Sequence, residues 1–256
     1  GSEWQGGNGG GRTVEGTGRL TGNAHNDWVR QYDQGVPSLD QAVERLVAAL
    51  EEPGEIENTL IVFTSDQGFA WGQHGFRTKL APYDANIRSP LIVSMPGTIP
   101  EGKVVPHPVA GVDLIPTFFS FAGIKLPWTM HGHDLTPLLK DPASDWDHPA
   151  LVSFTGRNYG KDTDRIPDDP EQHYLNGIPW YASLRKERYK YIRTLVENEI
   201  EELYDIENDP EELTNLALSK SHAKILGEYR AALIAELRRT DAGIVDNLPA
   251  IKLLAD

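Results

Sequence analysis

Leu39, Val43, Leu46, Val47 and Leu50 recur at helical spacing behind Ser38 and Gln41, whose separation suits an N-cap with its capping partner. The pattern predicts an amphipathic helix that starts at Ser38 and ends near Pro53-Gly54. A continuous apolar and β-branched run follows, Thr59-Leu60-Ile61-Val62-Phe63-Thr64, and reads as a strand buried on both faces of a parallel sheet. A second run, Pro90-Leu91-Ile92-Val93-Ser94-Met95, precedes a Pro96-Gly97 turn, and residues 112–122 read as a helix closing at Gly123. The alternation predicts an α/β fold, with a partial, mostly parallel sheet flanked by helices, over residues 1–140.

Beyond Lys140 the pattern changes to segments rich in Asp, Pro and Tyr. Residues 180–184 and 189–194 alternate like antiparallel strands around a turn at Lys186-Glu187, and Leu226, Tyr229, Leu233 and Leu237 mark one face of a helix over about 222–239. Residues 141–256 are therefore expected to form a small α+β subdomain. Upstream, Gly6 to Gly22 is dense in glycine and reads as a loop; residues 1–12 have neither the charged nor the apolar region of a signal peptide. A chain that opens inside a loop suggests a part that precedes it.

Composition narrows the class of partner. The 256 residues carry a formal charge of −14, which argues against a nucleic-acid surface, because phosphate binding needs clustered Lys and Arg. No apolar run approaches the roughly 18 residues of a membrane span, so no membrane partner is expected. The absence of cysteine excludes disulfides and thiolate metal sites. A polysulfated ligand stays compatible with the charge if cations concentrate locally.

The chemistry gathers after the first apolar run, in Thr64-Ser65-Asp66-Gln67-Gly68-Phe69, and in open α/β sheets ligands collect at the carboxyl ends of strands. A carboxylate beside an amide carbonyl suits a hard cation that takes oxygen ligands, and the glycine lets the backbone turn sharply. Alone, Asp-Gln-Gly reads more readily as an ordinary strand-to-loop turn. The continuation changes the balance: Gly72-Gln73-His74-Gly75, then Lys79, Tyr83-Asp84 and Arg88-Ser89-Pro90.

This string from Asn58 to Met95 resembles the type I, formylglycine-dependent sulfatases of the alkaline phosphatase superfamily. Their members carry a strand, an Asp-Asn/Gln/His-Gly turn, a Gly-Glu-His-Gly-like loop, a lysine and Tyr-Glu-x-x-x-Arg-x-Pro. Val112-Asp113-Leu114-Ile115-Pro116-Thr117 and residues 132–139, Gly-His-Asp-Leu-Thr-Pro-Leu-Leu, resemble further motifs of that family. Tyr189-Lys190-Tyr191-Ile192-Arg193 and residues 202–217 look like its small C-terminal domain, so the resemblance covers about Asp33 to Arg239.

The resemblance implies a sulfuric ester hydrolase in which a formylglycine hydrate attacks sulfur while a divalent cation, Ca2+ with Mg2+ as the alternative, and cationic side chains stabilise the sulfate oxygens. By position Asp66 and Gln67 would be metal ligands, Lys79 would bridge sulfate and leaving-group oxygen, and His74 would be catalytic or orient the site. His107 and His173 lie on loops where they could line a substrate pocket. Arg88 reads as a structural partner of Asp84 or another nearby carboxylate, and Asp113 as a helix cap. A lysine in a loop is more often solvated than catalytic, and a histidine beside two glycines can simply hold a turn.

The sequence departs from the family in three respects: no segment fits the Cys/Ser-x-Pro-Ser/Ala-x-Arg activation motif, two further aspartates have no match, and neither do an upstream Lys and His. These groups are expected on an N-terminal half of the same enzyme, which would leave this chain alone inactive. The substrate expected is a sulfated small molecule or glycan, in a periplasmic or secreted setting. A phosphodiesterase or phosphonate monoester hydrolase of the same superfamily, and a non-catalytic module for sulfated glycans, are the competing readings.

Overall fold

The structure, a computed structural model, describes residues 24–197 and 199–252, so the loop expected over Gly6 to Gly22 lies outside the described residues. In chain order the regular elements begin with α1 (Ala24–Glu51), β1 (Ile61–Thr64), β2 (Ala70–Trp71), β3 (Arg77–Thr78), α2 (Asp84–Ile87) and β4 (Leu91–Ser94). They continue with α3 (Leu114–Phe121), α4 (Thr136–Lys140), β5 (Ala150–Phe154), β6 (Tyr174–Leu175) and β7 (Ile178–Pro179). The last are β8 (Tyr181–Lys186), β9 (Tyr189–Thr194), β10 (Glu202–Asp205) and α5 (Ala223–Arg239).

Two compact units form by backbone contact: residues 24–64 with 90–103, and residues 65–89 with 104–252. In the first, α1 runs through Gly35-Val36-Pro37, which corrects the helix start expected at Ser38. Proline normally interrupts a helix because it lacks the N–H and its ring meets the preceding turn, at a cost of about 3 kcal/mol. Here the turns on both sides are helical, so a sequence signal for a start falls inside one long helix. Val43, Val47 and Leu50 are half-buried, whereas Leu46 stays 67% exposed.

In the same unit β1 and β4 pair antiparallel, Ile61 opposite Ser94 and Thr64 opposite Leu91, and Ile92 is 61% exposed. The expectation of parallel strands buried on both faces is corrected on direction and on burial. An unbroken apolar run reports the lack of polar alternation, not the direction of the neighbouring strand. Every strand pair among the described residues is antiparallel.

The second unit is built on a four-stranded sheet in the order β10-β9-β8-β5. Period-two alternation divides its faces. Ala182, Leu184, Tyr191 and Leu203 pack against Leu226, Tyr229, Leu233 and Leu237 of α5, the face expected for that helix. Each fully buried leucine there contributes about 1.5–3 kcal/mol by leaving water. Tyr181, Ile192 and Tyr204 point to the other face, where they meet Ala70, Phe76, Ala81 and Tyr83. The loop that carries the candidate chemistry is thus packed onto the back of the C-terminal sheet.

Candidate active site

Asp66 and Gln67 occupy the turn that follows β1, and Ser65 Oγ donates to the Gln67 carbonyl at 3.0 Å while Gln67 N–H donates to Asp66 Oδ1 at 3.0 Å. The turn needs glycine next. A Cβ on Gly68 would stand 2.6 Å from the Ala85 carbonyl oxygen and 2.8 Å from that of Arg88, both backbone atoms. After Gly68, β2 and β3 form a short hairpin, with Ala70 opposite Thr78, that delivers Lys79 to the start of the turn. Lys79 Nζ donates to Asp66 Oδ2 at 2.9 Å, so residues 13 apart in sequence share one exposed point.

That pairing sets the charge state. The Lys79 ammonium, and after it the Gln67 amide, hold the Asp66 carboxyl below the usual carboxylate range, so Asp66 is anionic at neutral pH. Asp66 and Gln67 offer two hard oxygen donors side by side, the donor chemistry of Ca2+ or Mg2+ sites. Among the described residues no three His, Cys, Asp or Glu side chains gather to hold a metal ion. The two fit a divalent cation as part of a shell of six or more oxygens that needs other donors.

His74 sits in the tight β2–β3 connection, between Gly72 and Gly75, with φ of 52°. Its Nε2–H donates to the Glu211 carbonyl at 2.9 Å, and its ring stacks on Tyr83 at 3.8 Å with the planes 3° apart. Burial holds the imidazole below its ordinary range, with the Glu211 hydrogen bond opposing. His74 is therefore fastened to the C-terminal sheet side. Among the described residues no hydrogen bond or ion pair joins His107 or His173 to Asp66, Gln67 or Lys79; His107 is half-buried in coil, and His173 Nε2 lies 2.6 Å from the Pro167 carbonyl.

Arg88 does not pair with Asp84, which corrects that expectation: its side chain is exposed, and Asp84 is taken by Lys190 Nζ at 2.7 Å and Arg185 Nη1 at 3.2 Å. Two cations from the sheet outcompete the neighbour in sequence because they approach from a buried side. Asp113 does serve backbone, accepting from Ala110 N–H and His133 N–H at 2.7 Å each, which ties the start of α3 to the residues ahead of α4.

Around Lys79 the sheet adds anchors that motif spacing does not reveal. Tyr181 Oη donates to the Leu80 carbonyl at 3.0 Å, Tyr83 Oη donates to Glu202 Oε2 at 3.2 Å, and Tyr204 also donates to Glu202. Glu212 Oε2 accepts from the Asp84 N–H at 2.6 Å and its Oε1 lies 2.6 Å from Lys190 Nζ. A lysine between two tyrosines at an inward strand position is the one local hint, since buried lysines are rarely unpaired.

A family profile described as N-sulphoglucosamine sulphohydrolase, C-terminal, matches residues 72–239, and a sulfatase profile matches residues 11–124. The chain belongs to the sulfatase family. An N-acetylglucosamine-6-O-sulfatase of Bacteroides thetaiotaomicron is 32% identical over 241 residues, covering 91% of this chain and 40% of that relative. A solved protein bound to its substrate, D-glucosamine-2-N,6-O-disulfate, is similar with a TM-score of 0.69 and 28% identity, over 88% of this chain and 44% of its own. A phosphonate monoester hydrolase of Agrobacterium radiobacter is similar with a TM-score of 0.66 and 26% identity, over 80% and 40%. This sulfatase chain thus spans less than half of the length of these relatives. Its neighbours share the alkaline-phosphatase-like α/β fold, so the mixed helix-and-sheet class stands, and the family suggests a divalent metal.

Proposed function

We propose that this chain supplies the cation turn and the leaving-group lysine of a sulfuric ester hydrolase acting on a sulfated sugar. The observation that carries the reading is the 2.9 Å contact between Lys79 Nζ and Asp66 Oδ2, which gives one exposed point both an anionic oxygen donor and an ammonium. Asp66 and Gln67 would hold Ca2+, or Mg2+, and the bound ion would supply charge neutralisation for sulfate oxygens. Lys79 would leave Asp66 for the ester oxygen and would donate a proton to it as the S–O bond breaks. The water-derived oxygen ends on sulfate and the proton on the alcohol, so the reaction balances as ester plus water to alcohol plus sulfate. His74 orients the loop through Tyr83 and Glu211, while His107 and His173 are candidates for lining the sugar site.

A formylglycine nucleophile belongs, in this reading, to an N-terminal half of the same enzyme. The similarity to N-acetylglucosamine-6-O-sulfatase and to a protein solved with a glucosamine disulfate supports an amino-sugar sulfate as substrate. The second reading, phosphonate monoester hydrolysis, draws support from the likeness to the phosphonate monoester hydrolases of Agrobacterium radiobacter and Silicibacter pomeroyi. The test is to assay the full-length protein that carries this chain, with Ca2+ and after chelation, on an aryl sulfate, an aryl phosphonate and a 6-O-sulfated glucosamine. Cation-dependent sulfate release, lost in Lys79→Ala, supports the hydrolase; phosphonate turnover without sulfate turnover favours the second reading. Binding of the sulfated sugar with no turnover of any ester leaves a non-catalytic module.

A further inference from the structure

Lys79 is followed by Leu80, whose φ of 88° lies in the left-handed region that a branched, non-glycine side chain rarely adopts. Such a conformation persists only where the surroundings impose it. Two contacts hold this residue: the Leu80 side chain packs against the cluster of Ala70, Phe76 and Tyr83, and the Tyr181 hydroxyl donates to the Leu80 carbonyl at 3.0 Å. Tyr181 is itself fixed. It is 2% exposed, pairs with Phe154 on β5 and Thr194 on β9, and its ring stacks on Phe154 at 5.7 Å. The tyrosine therefore reaches from the first residue of an inner strand of the C-terminal sheet to the peptide one residue past the ammonium.

We infer that Tyr181 is a positioning residue for Lys79: its hydroxyl holds the strained Leu80 peptide and so aims the Lys79 ammonium at Asp66 and at the oxygen that leaves sulfur. Without the hydroxyl, Leu80 relaxes toward negative φ and rotates the Lys79–Leu80 peptide. The chain before Lys79 is held by the β2–β3 pairing and by His74 on Glu211, so the displacement concentrates at Lys79. The inference rests on the sulfatase reading, because a direction for Lys79 matters only if it serves a leaving group.

Tyr181→Phe in the full-length protein removes one oxygen and keeps the ring. The expected result is a fall in kcat of about fivefold on phenyl sulfate, the worth of a neutral hydrogen bond, with KM unchanged. On 4-nitrophenyl sulfate, whose leaving group needs little help, the fall is smaller, so the ratio of the two kcat values shifts. That ratio separates positioning from folding, since a smaller folded fraction lowers both rates alike. An unchanged ratio, or equal losses with raised KM, overturns the role of Tyr181 while the parent enzyme still turns over both esters. A parent protein that hydrolyses neither ester overturns the sulfatase reading, and this inference with it.

Discussion

Lys190 Nζ lies 2.7 Å from Asp84 Oδ1 across 106 residues of sequence and 2.6 Å from Glu212 Oε1, with 1% of the lysine side chain exposed. Arg185 takes the other Asp84 oxygen, and Glu212 also accepts from the Asp84 N–H, so one buried cluster fastens the loop after Lys79 to the C-terminal sheet. Burial pushes the Glu212 carboxyl up, and Lys190 works against it. Removing the lysine leaves a buried carboxylate without its cation, which is costlier than removing both partners. Lys190→Met is expected to lower unfolding free energy by about 3–5 kcal/mol in urea titrations. Lys190→Met with Glu212→Leu should recover a large part; a single variant within experimental error of the parent would contradict the assignment.

Gly68→Ala tests the turn that presents Asp66 and Gln67. The added Cβ meets two backbone carbonyls at 2.6 and 2.8 Å, neither of which can swing aside as a side chain would. Either α2 or the turn must shift, and overpacking of this kind costs about 1–3 kcal/mol. Thermal unfolding reads the cost. A shifted turn should also weaken divalent-cation binding, whereas Gly72→Ala, which has open space around its Cβ, should affect the cation much less despite its φ of 125°.

The elements that were legible in the sequence are those whose signal is local. β8, β9 and α5 are set by alternation and by Leu226, Tyr229, Leu233 and Leu237, and the helix over 112–122 resolves into a tight turn and α3, with the Asp113 carboxylate accepting from Ala110 N–H ahead of the turn rather than capping α3. The meeting of Asp66 with Lys79 follows from a short hairpin between them. What was not legible depends on partners that arrive from far along the chain. Asp84 looks like a mate for Arg88 until Lys190 and Arg185 are brought over it, and nothing near Leu80 announces Tyr181, 101 residues away. The antiparallel return of β4 is likewise a property of the path taken by residues 65–90, not of either apolar run.

The His133 ring stacks on His148 at 3.8 Å and lies edge-on to Trp146. Burial first, then His148 and Arg239, holds the His133 imidazole below its ordinary range of 6.5. An unfolded chain therefore takes up the proton before the folded one as pH falls through about 6.5, and stability declines below that point while staying constant above pH 7. Because the ring is partly open to solvent, the slope should be no more than a few tenths of a kcal/mol per pH unit. His133→Gln should flatten the difference in urea midpoint between pH 7.5 and pH 5.5; an equal difference in the variant would remove His133 as its source.

Cation binding distinguishes the two partners of the ion pair at the site. Asp66 is a ligand in the proposed reading, and Lys79 competes with the ion for Asp66 Oδ2, which it contacts at 2.9 Å. Asp66→Asn keeps the shape but loses the charge, so Ca2+ affinity in the full-length protein should fall by about tenfold or more, as expected when an anionic oxygen leaves a hard-cation site. Lys79→Ala should do the opposite, leaving affinity equal or tighter, because an ammonium no longer neutralises the carboxylate. Calorimetric titration with Ca2+ and then Mg2+ reads both. If Lys79→Ala weakens the ion as much as Asp66→Asn does, the lysine orders the turn rather than competing for it, and its proposed transfer from Asp66 to the ester oxygen loses its basis.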